Sequence, residues 1–367
     1  ALNAKKYADA IAKLKDAETN PKKTPYDEHI INELAAVAYA RTGNYPEAGK
    51  AFEAQVNDGF LEQSEIPQRV KAVAQINYQL KNYDKAIEYG NRAIKGGYAD
   101  EDVDIIVGQS YYLKGDWKGT IKFEDGLVDA DIKAGRTPKD QTLQLILSSC
   151  VKLDDADCTT RALEKLVTYY PKPDYWKQLL YTLAQTPDMR KAGDRVQLQL
   201  FRLMSEVDVL ERPDDYTEMA QLAMDQGSPG EAQHILEKGF QKNIFPDQRT
   251  KAKNQRLLEA AKKSAAQDEA SLPKIEKDAQ AAPTGDKDVG VGLAYLGYQQ
   301  YDKASSLLSQ GLSKGGVKSQ PEAQLLLGIA QLKAGHKNEA MKSFHSVKGD
   351  PNLERLANLW NLHAKQA

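Results

Sequence analysis

Apolar residues recur at three- and four-residue spacing through almost the whole chain, and no stretch alternates as a half-buried strand would. The pattern predicts amphipathic helices joined by short polar turns. Over 29–59 the apolar or small positions of a first helix are Leu34, Ala36, Val37 and Tyr39, and a second helix carries Ala48, Ala51 and Phe52. Between them, Thr42-Gly43-Asn44 reads as a turn. Gly43 suits a helix end in left-handed backbone, and Gly115, Gly227 and Gly335 stand at the same place in other segments.

A longer period organises these helices. An aromatic residue precedes a small one by three positions in Tyr7/Ala10, Tyr45/Ala48, Tyr83/Ala86, Trp117/Thr120 and Tyr301/Ala304. Twelve residues before the small residue of the last four pairs stands another: Ala36, Ala74, Gly108 and Gly292. Units anchored on Ala232 and Ala340 keep the earlier small residue as Ala220 and Gly328. The anchors at 10, 48, 86 and 120 lie 38, 38 and 34 apart, and 304 to 340 is 36. Repeats of that length mark a stacked array of helix pairs. Small residues let two helices touch, and large ones four positions past the anchor (Leu14, Phe52, Leu236, Leu308, Phe344) fill the gap to the next unit.

This set of offsets, with Tyr39, Tyr111 and Tyr295 near the ends of first helices, resembles the tetratricopeptide repeat family over about three quarters of the chain. The resemblance implies an all-α fold: a right-handed superhelical solenoid of antiparallel helix pairs. Three stretches depart from the pattern. Residues 137–171 read as two helices with an ambiguous anchor, and 174–210 as a helix from Trp176 followed by a long second helix over 196–210. Residues 247–281 are polar and Ala/Lys-rich, a degenerate helix pair, and 279–287, with Pro283 and Gly285, reads as a loop. The expected organisation is an N-terminal array over 1–266, with its first repeat truncated and the repeats near 137–210 degenerate. An irregular helix or linker over 267–287 follows, and then a C-terminal repeat pair over 288–367. Leu353, Leu356, Leu359, Trp360 and Leu362 give 352–363 the apolar face of a C-terminal capping helix, which an open array needs.

Charge narrows the function classes. Charged residues make up 28% and balance to a net of −2, without a block of one sign, so neither nucleic acid nor an anionic membrane surface is an expected partner. Apolar runs such as 143–147 fall far short of a membrane span. The start at Ala1, and a first unit with only its second helix, read as a trimmed N-terminus, with signal-peptide cleavage one route to it. Cys150 and Cys158 form an even, closely spaced pair: a disulfide closing a short helix–turn–helix, or two small buried thiols.

Candidate chemistry is sparse. The five histidines form no i, i+4 pair and no HExxH occurs. Gly290, Gly292 and Gly297 lack the preceding strand of a dinucleotide loop, and Ser149 to Lys152 matches SxxK without its companion motifs. No cofactor, metal or catalytic residue is assigned, and the chain is expected not to be an enzyme.

The resemblance assigns the first helices to a concave inner face that receives a protein or peptide. Carried onto the matching units, it selects Glu33, Arg41, Lys71, Gln75, Tyr78, Gln79, Gln109, Tyr112 and Gln221 as polar contacts. It also selects an apolar stripe of Val289, Leu293, Leu296, Leu325, Ile329 and Leu332. That stripe is either covered by the 267–287 segment or the capping helix, or it forms a pocket or interface for an apolar ligand or lipid, an amphipathic partner helix or a second copy of the chain. The expected function is a non-catalytic scaffold in a bacterial envelope assembly or transport system, in the periplasm or otherwise the cytoplasm. Its alternatives are a periplasmic carrier of an apolar small molecule or lipid, and an accessory subunit of a larger enzyme or secretion complex.

Overall fold

The computed structural model describes residues 1–366, which form twenty α-helices and, among the described residues, no strand. This is the all-α architecture of antiparallel helix pairs that the periodicity predicts. The chain folds as two compact units, Ala1–Asp155 and Ala156–Ala367.

The first unit holds α1 (Tyr7–Glu18), α2 (Pro25–Arg41), α3 (Tyr45–Asp58), α4 (Ile66–Gln79), α5 (Tyr83–Lys95), α6 (Glu101–Lys114), α7 (Trp117–Lys133) and α8 (Asp140–Lys152). Its core runs through the predicted small positions: Ala36, Ala48, Ala74 and Ala86 are fully buried, with Phe52, Val73, Tyr89 and Val107 packed among them. The turns follow the sequence signal. Gly43 and Gly115 have φ of 76° and 83°, and Asn44 and Asp116 then accept from Glu47 N and Gly119 N to cap the next helix.

The second unit holds α9 (Ala156–Tyr169), α10 (Pro173–Gln185), α11 (Pro187–Lys191), α12 (Asp194–Glu206), α13 (Pro213–Asp225), α14 (Pro229–Gln241) and α15 (Gln248–Gln280). It continues with α16 (Asp286–Gly297), α17 (Tyr301–Lys314), α18 (Gln320–Lys333), α19 (Lys337–His345) and α20 (Pro351–Gln366). The nesting principle is visible at Gly292 and Gly328. A β-carbon on Gly292 would come within 2.8 Å of Leu308, and one on Gly328 within 2.5 Å of Phe344. In each pair a large residue occupies the room that glycine leaves.

Two local expectations change. The stretch expected as a degenerate helix pair is a single 33-residue helix, α15, with Pro273 inside it, and the loop expected over 279–287 is confined to residues 281–285. No glycine or turn cluster interrupts residues 248–280, and their Ala, Lys, Glu and Gln content favours unbroken helix. The long helix expected over 196–210 ends at Glu206: Asp208 turns into left-handed backbone (φ 55°), and Val209 and Leu210 are buried beyond it.

The last helix does more than cover a repeat. Leu353, Leu356, Leu359 and Trp360 of α20 are buried, and α20 packs on α18 and α19 and also on α12. Arg355 Nε donates to Glu164 Oε1 of α9 at 2.7 Å, and Gln366 Nε2 donates to the Val167 carbonyl at 2.7 Å. The His363 ring stands edge-on to Trp176 of α10 at 6.3 Å. The second unit therefore returns on itself, its final helix touching its first ones.

Candidate functional site

In the first unit the predicted polar residues divide into two groups. Glu33, Lys71, Tyr78, Gln109 and Tyr112 bond successive first helices to one another. Arg69 Nη2 donates to Glu33 Oε1 at 3.3 Å, and Lys71 Nζ donates to Asp102 Oδ2 at 2.8 Å and also to Asp100. The Tyr78 hydroxyl donates to Gln109 Oε1, and the Tyr112 and Ser148 hydroxyls share a bond of 2.7 Å. Hydrogen bonds from Lys71 to Asp100 and Asp102 raise the lysine's pKa above its ordinary value. Exposed pairs of this kind contribute between zero and about 1 kcal/mol each; their effect is to fix helix spacing. Arg41, Gln75 and Gln79 form the other group. They are exposed, and among the described residues their side chains make no hydrogen bond or ion pair.

In the second unit the apolar stripe is largely enclosed. Leu325 and Ile329 are buried, while Val289, Leu293, Leu296 and Leu332 are half-buried. Val289, Leu293 and Leu296 pack against a cluster that includes Leu272 and Ala279 of α15, within the expected 267–287 cover, and α12 is tied to α18 at both ends. Arg195 Nη1 donates to Glu322 Oε2 at 3.0 Å and Gln199 Nε2 to Glu322 Oε1 at 3.4 Å, while Glu206 pairs with Lys333. Glu322, Leu325, Ile329 and Lys333 share one face of α18, and at Ile329 and Lys333 a cavity separates this face from Arg202, Ser205 and Glu206 of α12.

Leu296 and Ile329 reach this cavity of about 520 Å³, walled also by Arg202, Glu231, Lys333 and Trp360. Its charges are matched internally. Arg202 holds Glu231 with two bonds of 2.7 and 2.6 Å, and His234 Nδ1 meets the Gly297 carbonyl at 3.0 Å. Burial pushes the Glu206 carboxyl up, but bonds from His363 and Lys333 outweigh it and hold the pKa below the ordinary carboxylate value. Such a lining suits a polar or mixed occupant better than a wholly apolar one.

Gln221 lines a second recess, of about 950 Å³, together with Arg249, Lys253, Arg256 and Leu257 of α15. These three cations were not among the sequence candidates, although their i, i+4, i+7 spacing was there to be read; the absence of a repeat anchor in 247–281 hid which face they occupy. The buried Arg202–Glu231 pair left no sequence signal at all. Cys150 and Cys158 are both buried and disulfide-bonded, and no free cysteine occurs among the described residues. No helix among those described is long and apolar enough to cross a membrane.

Comparison with known proteins finds one family match. Residues 1–58 match the model of the tetratricopeptide repeat. Among solved structures, the chain is similar to a tetratricopeptide repeat protein from Parabacteroides merdae, at 13% identity over 83% of this chain and 99% of that one, with a TM-score of 0.32. It is similar also to the TPR2AB domain of yeast Sti1 in its pHSP90 complex, at 15% identity over 83% and 100% of the two chains and a TM-score of 0.27. The pentatricopeptide repeat protein PPR10 from maize gives 19% identity over 99% of this chain and 49% of its own, with a TM-score of 0.34. Likenesses at these scores carry no functional inference. No curated protein matches the chain.

Proposed function

We propose that this chain is a non-catalytic repeat scaffold of the tetratricopeptide kind that holds protein or peptide partners on its first-helix faces, within a bacterial envelope assembly or transport system. The observation that carries this reading is the division of polar residues in the first unit. A ladder of side chains bonds first helix to first helix, and beside it Arg41, Gln75 and Gln79 are exposed and uncommitted. A backing fixed in this way presents donors and acceptors at little ordering cost, which favours recognition of a partner's main chain and polar side chains. The disulfide state of Cys150 and Cys158 supports a periplasmic setting, since such bonds persist in oxidising compartments. The charged lining of the 520 Å³ cavity favours a scaffold over a carrier of an apolar molecule or lipid.

The test is site-specific photocross-linking in the host. A photoreactive amino acid at Gln75 or Gln79 should give a discrete protein adduct, and one at Glu88, exposed on the second helix α5, should not. Equal adduct patterns from both faces, or adducts with nothing but lipid, would overturn the reading.

A further inference from the structure

Three cations in the second unit have no answering charge. Arg249, Lys253 and Arg256 are exposed on one face of α15, and none forms an ion pair or side-chain hydrogen bond among the described residues. Elsewhere in this unit several helical cations are answered. Lys177 pairs with Glu211, Arg202 with Glu231 and Lys333 with Glu206. The one carboxylate lining the α15 recess belongs to Asp247, which is committed to capping the helix: it accepts from Thr250 N at 2.9 Å and from Thr250 Oγ1 at 2.7 Å.

The placement opposes helix stability. Like charges at i, i+3 and i, i+4 repel. Arg249, in the first turn of α15, also faces the positive end of the helix dipole, where acidic residues are the stabilising choice. Because α15 is 33 residues long, the cations could have sat at many harmless positions. Their convergence on a recess of about 950 Å³, with the Gln221 amide on one wall and the Leu257 side chain beside them, gives the charge a defined place to act.

We infer that this recess is the docking site for an acidic, extended segment of a partner protein. This deepens the scaffold reading by naming partner chemistry, and it rests on that reading. Charge complementarity selects the acid. Arg249 and Arg256 are about 10 Å apart along the helix, the length of about three extended residues. A segment with carboxylates on alternate residues therefore presents two or three of them to the row. Leu257 takes an apolar neighbour, and Gln221 a main-chain amide. Three cations in a chain of net charge −2 are few for a nucleic-acid backbone, and an anionic bilayer could not enter a recess walled by two helices.

The experiment is fluorescence anisotropy on the full chain, using as probe a labelled peptide of four Glu-Gly repeats with both ends blocked, so that no terminal carboxylate takes part. Binding should weaken several-fold between low and physiological salt. It should fall at least tenfold in R249Q/K253Q/R256Q, and a four-fold Lys-Gly peptide should not bind. The triple variant should melt no lower than the parent; R256Q alone, with a loss of about threefold, serves should the triple variant misfold. Parent-like binding by a folded variant, absence of binding by the parent, or tighter triad-dependent binding of a single-stranded oligonucleotide or phosphatidylserine vesicles would overturn the proposal. Retention of the Gln75 and Gln79 cross-links in the triple variant would leave the scaffold reading standing while the acidic partner falls.

Discussion

The Glu124 carboxylate occupies the space that glycine leaves at position 108: a β-carbon on Gly108 would come within 1.8 Å of Glu124 Oε1. The same offset elsewhere joins Gly292 to Leu308 and Gly328 to Phe344, so Glu124 is an acid in a slot that takes a large apolar side chain in those units. Burial pushes its pKa up to about 7, Thr142 lowers it through a hydrogen bond, and Asp104 raises it as a neighbouring like charge.

The sign of the pH effect follows. A carboxyl whose folded pKa lies above its unfolded value binds more protons when folded, so stability falls as pH rises from the unfolded value of about 4.3 to about 7. The loss amounts to about 3.5 kcal/mol at most. Urea titrations at pH 5 and pH 8 should reveal it, and E124L should remove the difference and be the more stable protein at pH 8. An unchanged pH dependence in E124L would exclude Glu124 as its source.

The Arg202–Glu231 pair predicts a different pattern. The Arg202 side chain is only 5% exposed, so E231L leaves a buried charge without a partner and should cost about 3–5 kcal/mol. R202M/E231L removes both charges and should recover most of that loss. A double-mutant cycle by chemical denaturation reads the coupling; additive single effects would contradict it.

Ile329→Asp should unfold the second unit instead of merely weakening association. The position is 4% exposed and borders the 520 Å³ cavity, so the charge would cost about 4 kcal/mol. L293D, at a half-buried site, should retain helicity and cost less. Circular dichroism melts compare the two, and equal melting temperatures would refute the difference.

Lys81 and Gln299 hold the turn position that glycine holds at 43, 115, 227 and 335, each with φ near 60°. A side chain in left-handed backbone costs about 1–2 kcal/mol, and glycine's extra unfolded-state entropy returns about 0.5–1 of that. K81G and Q299G should each therefore stabilise the protein by roughly 0.5–1 kcal/mol. Melting temperatures lower than the parent's would indicate that the lysine or glutamine side chain contributes more than its backbone strain.

What the sequence made legible was local. Ala36 with Ala48, or Gly328 with Phe344, are contacts within one repeat, and their spacing recurs because the same helix pair is built again. The polar residues of α2, α4 and α6 could be placed on one face by the same logic, though not paired with one another, since Lys71 meets Asp100 and Asp102 across a repeat boundary where no fixed offset holds. The closure of the second unit was invisible. Arg195 and Glu322 stand 127 positions apart, and no period links them. α15 was misread because a helix pair without turn residues or anchors has the same composition as one long helix.

Stacked repeats commonly fold by local propagation, each pair settling on the one before. The hydrogen bond from Gln366 to Val167 spans 199 positions, and α20 contributes to the surroundings of α9, α10 and α12 as well as α18. The opening helices of this unit thus reach their final packing only once its last sixteen-residue helix has been made. Such closure exchanges the gradual melting of an open array for a single cooperative transition and a slower approach to the native state. A chain shortened before Pro351 should therefore lose order in α9 and α12, far along the sequence, as readily as in the neighbouring α19, and amide exchange would record it.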